Sequence, residues 1–480
     1  MTYKIAFGNI SFKNNAQIQK PEKKDNPSPV VKNAQPVVKN AQPLAKPPVS
    51  TLLAYVTYRA DSKNAGEVGV KFFNTLSVEQ MKKQYGELAQ KTAAELAQRA
   101  GKPNQVLNWI EVLPQTQLKR LDEIYALADS LKQNGSKKLG IIGIGGSKHT
   151  IENLLSLTGN ADKAVFLSAV DPDSIDDFVK KLGDPQKAAV LVASKSGTTL
   201  EPSVDFEAVR KALKDDFKNY VCITDKDESK SKLRQLANKN GYKCGIIHDE
   251  CGGRFGAFDD HTLTALAYCG MSKDDMKKML EASLKAQKQF LSGDITTNKA
   301  LQRAVFNAHS VLNGKQNQYD YYFSDRFEGT ALWNTQMKKE SHKSLYKVSG
   351  DLTGPAFLHN STEADLDEGN DSSFFTFNTI KNAGGEKYKA YNALINGSLK
   401  AYSERHPVSL VELKDLSPSS IGEFVELKHF EAMYTGMMLR ALKSKDAQTE
   451  FKHPDVLPEV VQPHVGIYKK EVEKILKSTP

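Results

Sequence analysis

The sequence predicts an α/β protein with two parallel sheets flanked by helices, on three observations. Between residues 126 and 290, short apolar runs of strand character alternate with helical patterns. Such alternation is the signature of a parallel sheet covered on both faces. The alternation returns between residues 296 and 450. Two of the early strands run directly into turns rich in glycine and hydroxyls, at the strand ends where such sheets bind ligands.

Composition narrows the class. With 480 residues, 39% hydrophobic and 26% charged, the chain can support two or three domains with cores of their own. Residues 1–50 hold eight lysines and two acids, which is +6 of the net +9 and leaves +3 for the rest. That near-neutral remainder lacks the footprint of a nucleic-acid binder. Cys222, Cys244, Cys251 and Cys269 show no CxxC and no zinc spacing, so they are read as reduced core residues. No run approaches the roughly 18 apolar residues of a membrane span, and no apolar h-region follows a basic start. A cytoplasmic protein with no membrane partner is expected.

In chain order, Met1 to Phe12 has mild strand character. Lys13 to Ser50 is rich in Asn, Gln, Lys, Pro, Val and Ala, with a tandem repeat at Val30–Pro36 and Val37–Pro43. Residues 1–50 cannot bury enough apolar surface to offset their ordering entropy, so they are read as a disordered tail. Residues 51–125 read as a mainly helical cover. Within it, Ser77 followed by Gln80 resembles a capping box, and Trp109 to Leu131 suggests one or two more helices. In 126–290 the strand candidates are Leu139–Ile144, Ala164–Ala169, Ala188–Ala193, Tyr220–Thr224 and Cys244–His248. In 296–450 the strands are Gln318–Phe323, Phe374–Ile380 and Val408–Leu413. The helices there are Glu328–Lys343, Tyr388–Glu404 and Ile421–Leu442. Residues 451–480 end in a short helical tail, Val465 to Lys477.

The stretch from Ser194 to Thr199 packs four hydroxyls, Lys195 and Gly197 between a strand and a helix whose start carries Glu201 and Pro202. Taken alone it reads either as a solvated helix cap or as a phosphate cradle. Helix N-termini favour anions, hydroxyls add donors, and glycine permits close approach. A second such turn, Gly143-Ile144-Gly145-Gly146-Ser147, follows an earlier strand. It has neither the dinucleotide-binding glycine spacing nor the Gly-Lys-Ser/Thr of a Walker loop. Further on, Gln336 and Glu340 are four apart and share one helix face, which for the spacing alone is an ordinary surface pair.

The two turns, in this order, resemble those of the sugar isomerase (SIS) fold and of its phosphoglucose isomerase family. Four later segments are similar to that family as well: Gly252-Gly253-Arg254-Phe255, Gln336 to Glu340-Ser341, Gly354 to His359, and Gln462-Pro463-His464-Val465 to Lys469. His464 stands where the family has glycine, and the stretch after Ser341 is one residue shorter. The resemblance implies two SIS-type domains, 126–290 and 296–450. It also implies an aldose–ketose isomerase of glycolysis and gluconeogenesis, interconverting glucose 6-phosphate and fructose 6-phosphate through a cis-enediolate. Glu340 is then the base, Arg254 the cation at the developing oxyanion, and His359 with Lys469 the ring-opening pair. Gly146, Ser147, Ser194, Lys195, Ser196, Thr199, Glu201 and Gln336 are the implied substrate-binding residues. The chemistry moves one proton and needs no redox cofactor or metal, so none is expected. A homodimer with shared active sites is implied, the histidine coming from the neighbour. A dual-specificity isomerase that also takes mannose 6-phosphate, and a non-catalytic sugar-phosphate sensor, remain open as alternatives.

Deleting residues 1–48 is expected to leave activity and melting temperature nearly unchanged. A large fall in melting temperature of the truncated chain would contradict the reading of this segment as a tail.

Overall fold

In the computed structural model, residues 66–214, 219–350, 352–354, 356–382, 384–443 and 456–478 are described. The tail expected at 1–50 and the start of the helical cover lie outside them.

The described chain opens with a strand, β1 (Val68–Phe73), in a stretch that reads as mainly helical. Its valines and phenylalanines suit a pleated surface, but its partner is β11 (Val408–Leu413), which it meets antiparallel with Val68 opposite Leu413. No local pattern announces a pairing across almost the whole chain. Helix follows as expected. Ser77 caps α1 (Val78–Arg99) with a complete capping box: its Oγ accepts from Gln80 N at 3.3 Å, and Gln80 Oε1 accepts from Ser77 N at 2.8 Å. Two more helices, α2 (Val112–Lys119) and α3 (Leu121–Lys132), complete this segment.

The first alternating region forms a sheet. In order it runs β2 (Leu139–Ile142), α4 (Gly146–Thr158), β3 (Ala164–Leu167), α5 (Pro172–Leu182), β4 (Ala189–Ala193), α6 (Leu200–Leu213), β5 (Tyr220–Thr224), α7 (Lys232–Asn240) and β6 (Lys243–Ile246). The sheet order is β3-β2-β4-β5-β6, parallel throughout. β2 and β4 are buried at every residue, as continuous apolar runs in a covered parallel sheet must be. The chain leaves β2 toward β3 on one side and returns to β4 on the other. The crevice of such a sheet opens where the strand order reverses, and both glycine- and hydroxyl-rich turns lie there.

Three helices lead to the second sheet: α8 (Asp260–Tyr268), α9 (Lys273–Phe290) and α10 (Lys299–Leu312). Then come β7 (Asn317–Tyr322), α11 (Glu328–His342), the short β8 (Lys347–Val348) and β9 (Leu352–Thr353), α12 (Phe357–Asp365), β10 (Ser373–Ile380), α13 (Lys389–Ser403), β11, α14 (Pro418–Leu442) and α15 (Val465–Ser478). The order is β1-β11-β10-β7-β8, with β9 also on β7, and β1 alone is antiparallel.

One close approach joins the sheets' helices. A Cβ on Gly329 of α11 would lie 2.2 Å from Glu152 O of α4, so these helices cross at a point only glycine allows. Thr330 Oγ1 donates to Asn153 Oδ1 at 2.6 Å beside it. Arg326 then donates to the carbonyls of Ser156 and Leu157, at 3.0 and 2.7 Å, capping the negative end of α4.

Helix α14 is buried from Ser420 to Arg440 and packs on α9, α10 and α11. Charges on its inner face meet counter-charges. Glu431 accepts from Arg303 at 2.7 Å. Lys428 donates to Asn378 Oδ1 at 2.9 Å and stands 3.6 Å from Asp320. Asp320, on β7, also pairs with Lys338 of α11. This buried network ties the helix that carries Gln336 and Glu340 to the second sheet. Replacing Lys338 by methionine strips Asp320 of its nearest cation, and losing one partner of a buried pair costs about 3–5 kcal/mol. Urea unfolding of Lys338→Met should show that loss; a change under about 1 kcal/mol would mean the network does not hold α11.

Candidate active site

The first turn is shaped for contact. Gly146 opens α4 without a side-chain cap, and a Cβ there would lie 2.2 Å from Gly253 C and 2.6 Å from Arg254 N. The first turn and the Gly252-Gly253-Arg254 segment are therefore pressed backbone to backbone. Next to it, a Cβ on Gly145 would lie 3.1 Å from Gln336 Nε2. Three segments distant in sequence thus meet at one point, with Ser147 half-buried beside them.

The side chains there form one cluster. Arg254 is 1% exposed. Its Nη1 donates to Glu340 Oε2 at 2.9 Å, its Nε to Ser341 Oγ at 3.2 Å, and its Nη2 to the Glu459 carbonyl. Trp333 Nε1 holds the Arg254 carbonyl at 2.8 Å. Burial pulls the guanidinium below its ordinary value, and the Glu340 carboxylate works against that shift. Arginine stays cationic under such a pull. Glu340 keeps one-fifth of its side chain exposed. Its Oε1 accepts from Gln336 Nε2 at 2.9 Å, and its Oε2 accepts from Gln462 as well as Arg254. Oε2 spends both lone pairs on these donors, and Oε1 spends one. Oε1 is the oxygen with capacity left for a proton.

Lys343 takes the left-handed φ of +53° at the end of α11, a region that favours glycine. Its Nζ donates to the carbonyls of Glu340 and Pro458 at 2.9 and 2.6 Å. Desolvation first, then Arg254 and Arg440, lowers its amine to about 8. It staples α11 to the segment leading to Gln462.

The second turn follows β4. Ser194 is 6% exposed and its Oγ has no hydrogen-bond partner. Ser196 Oγ and Thr198 Oγ1 are 2.7 Å apart. Thr199 is the N-cap of α6, yet its hydroxyl makes no cap bond, so the first amides of α6 keep their capacity for an anion. Gly197 has φ +63°, and a Cβ there would lie 2.2 Å from Leu233 N. Lys195 pairs with Asp249 at 3.0 Å. Glu201 is half-buried, and its charge, after burial, raises the phenol of Tyr468. The segment after Gln462 therefore runs from Glu340 to the start of α6. It carries Lys469, whose amine has no ion-pair partner among the described residues.

His359 is not brought into this cluster. It stands exposed on α12, and no hydrogen bond or ion pair joins it to Arg254, Glu340 or Lys469 among the described residues.

Sequence reasoning passed over Gln462, Ser341, Trp333, Lys343 and the Glu459 carbonyl. Gln462 and Ser341 had a signal, since both lie inside the quoted motifs. A carbonyl and an indole N–H carry none. His248, Asp259 and Asp260 are close enough to suggest a metal site. Their lone pairs are already used. His248 Nδ1 bonds Asp259 Oδ1 at 2.6 Å, Arg120 bonds both Asp260 oxygens at 2.8 and 3.1 Å, and Ile246 N and Gln117 Nε2 add further bonds at 2.8 Å. The guanidinium stands where a cation would. The four cysteines are free, and Cys222, Cys251 and Cys269 are buried as expected of core residues while Cys244 is only partly buried; burial raises the Cys269 thiol to about 12. Among the described residues no helix is long and apolar enough to cross a membrane.

Asp205, one turn beyond Glu201, is fully buried with neither oxygen hydrogen-bonded. Burial first, then Glu201 and Asp171, pushes its carboxyl up to about 7. The folded chain therefore holds this proton more tightly than the unfolded one, and stability falls as pH rises from 3.8 toward 7. Comparing wild type with Asp205→Asn, the wild type should lose ground between about pH 4 and pH 8. A difference that stays constant across that range would show Asp205 to be partnered.

Residues 129–353 match the family model described as phosphoglucose isomerase. Proteins named glucose-6-phosphate isomerase from Shouchella clausii and Mesoplasma florum are 27% identical over 280 residues and 29% over 269. These alignments take in 54% and 52% of this chain, which spans 61% of the length of each relative. Among solved structures, a hypothetical protein from Thermus thermophilus superposes with a TM-score of 0.72 at 20% identity, covering 85% of this chain and 100% of that one. A glucose-6-phosphate isomerase from Chlamydia trachomatis gives 0.67 at 16% identity, covering 86% and 90%. At such identities the likeness is one of fold.

Proposed function

We propose that this chain, whose residues 129–353 match the phosphoglucose isomerase family model, interconverts glucose 6-phosphate and fructose 6-phosphate through a cis-enediolate. The observation that carries the reading is the Glu340 carboxylate, partly exposed and held between buried Arg254 and two glutamines. Aldose–ketose exchange moves a proton between adjacent carbons. It needs a base that holds and returns that proton, and Glu340 Oε1 has the capacity. Charge develops on the substrate oxygen, and a fixed cation stabilises it without reorganising; Arg254 is anchored by Ser341, Glu340 and Glu459 before substrate arrives.

The phosphate anchor lies away from the reacting carbons, so its binding energy positions the sugar. Gly146 and Ser147 from the first turn, and Ser194, Lys195, Ser196 and Thr199 from the second, would supply the donors. Glu201 and Gln336 would meet the sugar hydroxyls. Lys469 and His359 would open the ring. The exposure of His359 on α12 suits its donation to a second copy, so the reading includes a homodimer with shared sites. It also includes a cytoplasmic enzyme of glycolysis and gluconeogenesis. A coupled assay, fructose 6-phosphate in and glucose 6-phosphate out, is the direct test.

The sharper test is isotopic. Glu340→Gln preserves size and hydrogen bonding and cannot accept the proton, so the rate should fall about 10²–10⁴-fold with substrate affinity largely kept. Wild type should exchange the C2 hydrogen of glucose 6-phosphate with solvent deuterium during turnover, and the variant should lose exchange and isomerisation together. Exchange that survives without isomerisation would identify another residue as the base.

A further inference from the structure

Glu459 gives the candidate site its backbone carbonyl, while its side chain runs to α14. The carboxylate is fully buried. Its Oε1 accepts from Arg440 Nε at 2.8 Å, and its Oε2 has no hydrogen-bond partner. The side chain reaches Arg440 through a notch in the helix. A Cβ on Gly436 would lie 2.6 Å from Glu459 Cγ and 2.7 Å from its Oε1. Gly436 and Arg440 are four apart and share one face of α14.

The segment so held meets the site at three points. Pro458 O accepts from Lys343 at 2.6 Å, Glu459 O accepts from Arg254 Nη2, and Gln462 donates to Glu340 Oε2. Leu457 and Val460 are buried on either side of Glu459, but apolar contact is non-directional and leaves a segment free to slide. A buried ion pair contributes little net stability, and this one leaves an oxygen unpaired at a cost. Its carboxylate does what an apolar anchor of that size cannot: it fixes one register.

We propose that Glu459 is a positioning residue for the Glu340–Arg254 pair, its carboxylate seated on Gly436 and Arg440 so that its own carbonyl meets Arg254 and Gln462 meets Glu340. The kinetic consequence, though not the anchor itself, rests on the isomerase reading. Without the anchor the segment moves, so Arg254 Nη2 loses an acceptor and Glu340 Oε2 loses a donor. A cation that must reorganise stabilises developing charge less well than one held in place. Ser194, Ser196 and Thr199 are bonded to none of these groups among the described residues, so the phosphate anchor is kept.

Two variants test the anchor on the full chain. Glu459→Ala removes the carboxylate. Gly436→Ala keeps every charged group and fills the notch, so it decides the matter if Glu459→Ala does not fold. Hydrogen–deuterium exchange reads the anchor without substrate: amides of residues 456–469 should exchange about tenfold faster in each variant, with the remaining amides little changed. Turnover reads the consequence: kcat should fall about 10²-fold while KM holds. Exchange at the wild-type rate, exchange raised evenly along the chain, faster local exchange with wild-type kcat, or a loss borne by KM alone overturns the proposal. A wild-type chain that does not isomerise overturns the isomerase reading instead, and the exchange measurement still decides whether Glu459 anchors the segment.

Discussion

A guanidinium taken out of water must be paired on every side, and Arg254 is that group here. Its partners come from the end of α11 and from the segment around Glu459, while its own backbone is pressed against Gly146. Leaving such a charge unpaired costs several kcal/mol, so the segments that satisfy it must converge. The same bonds place Glu340 and bring up Gln462. Stability and the candidate chemistry rest on one set of contacts, which makes the site rigid before any substrate binds.

That convergence needs both sheets held in register, and glycine provides it. Gly329 lets α11 lie directly on α4, and Gly146 lets α4 touch the Arg254 turn. Any side chain at either point would push apart elements whose ends carry the candidate catalytic groups. The buried charges of α14 act from below. Glu431 and Lys428 extend a network through Arg303 and Asp320 to Lys338, on the same helix as Gln336 and Glu340. A helix that brought only apolar groups inward would pack as densely but would leave Arg303 without Glu431 and Asp320 without Lys428. The network thus fixes which face of α11 turns toward the Gly145 turn.

Most strands were legible because parallel strands covered on both faces must be continuous apolar runs. β5 and β11 fall at the residues expected, and β2, β3 and β4 end or begin within two residues of expectation. β1 was not legible, since its partner lies near the other end of the chain and Val68 is its only fully buried residue. The exposed α12 was also missed: Phe357 and Asp365 are its only buried residues, too few for a periodic face. In the site, Arg254, Gln336 and Glu340 could be named because they sit in motifs. Lys343 could not, because its role follows from a backbone turn at the end of α11 and from two carbonyls that have no sequence signature.

Local pattern by itself determined the α/β class, the positions of most strands, the capping box at Ser77 and the hydroxyl turn that opens α6. These depend on periodicity and on backbone groups close in sequence. Tertiary structure alone decided that Gly146 meets Gly253, that Gln462 reaches Glu340, and that the Ser194 hydroxyl is buried without a partner. These features depend on which surfaces are buried together. Burial raises the energetic weight of each polar contact above anything the same residues would show in water.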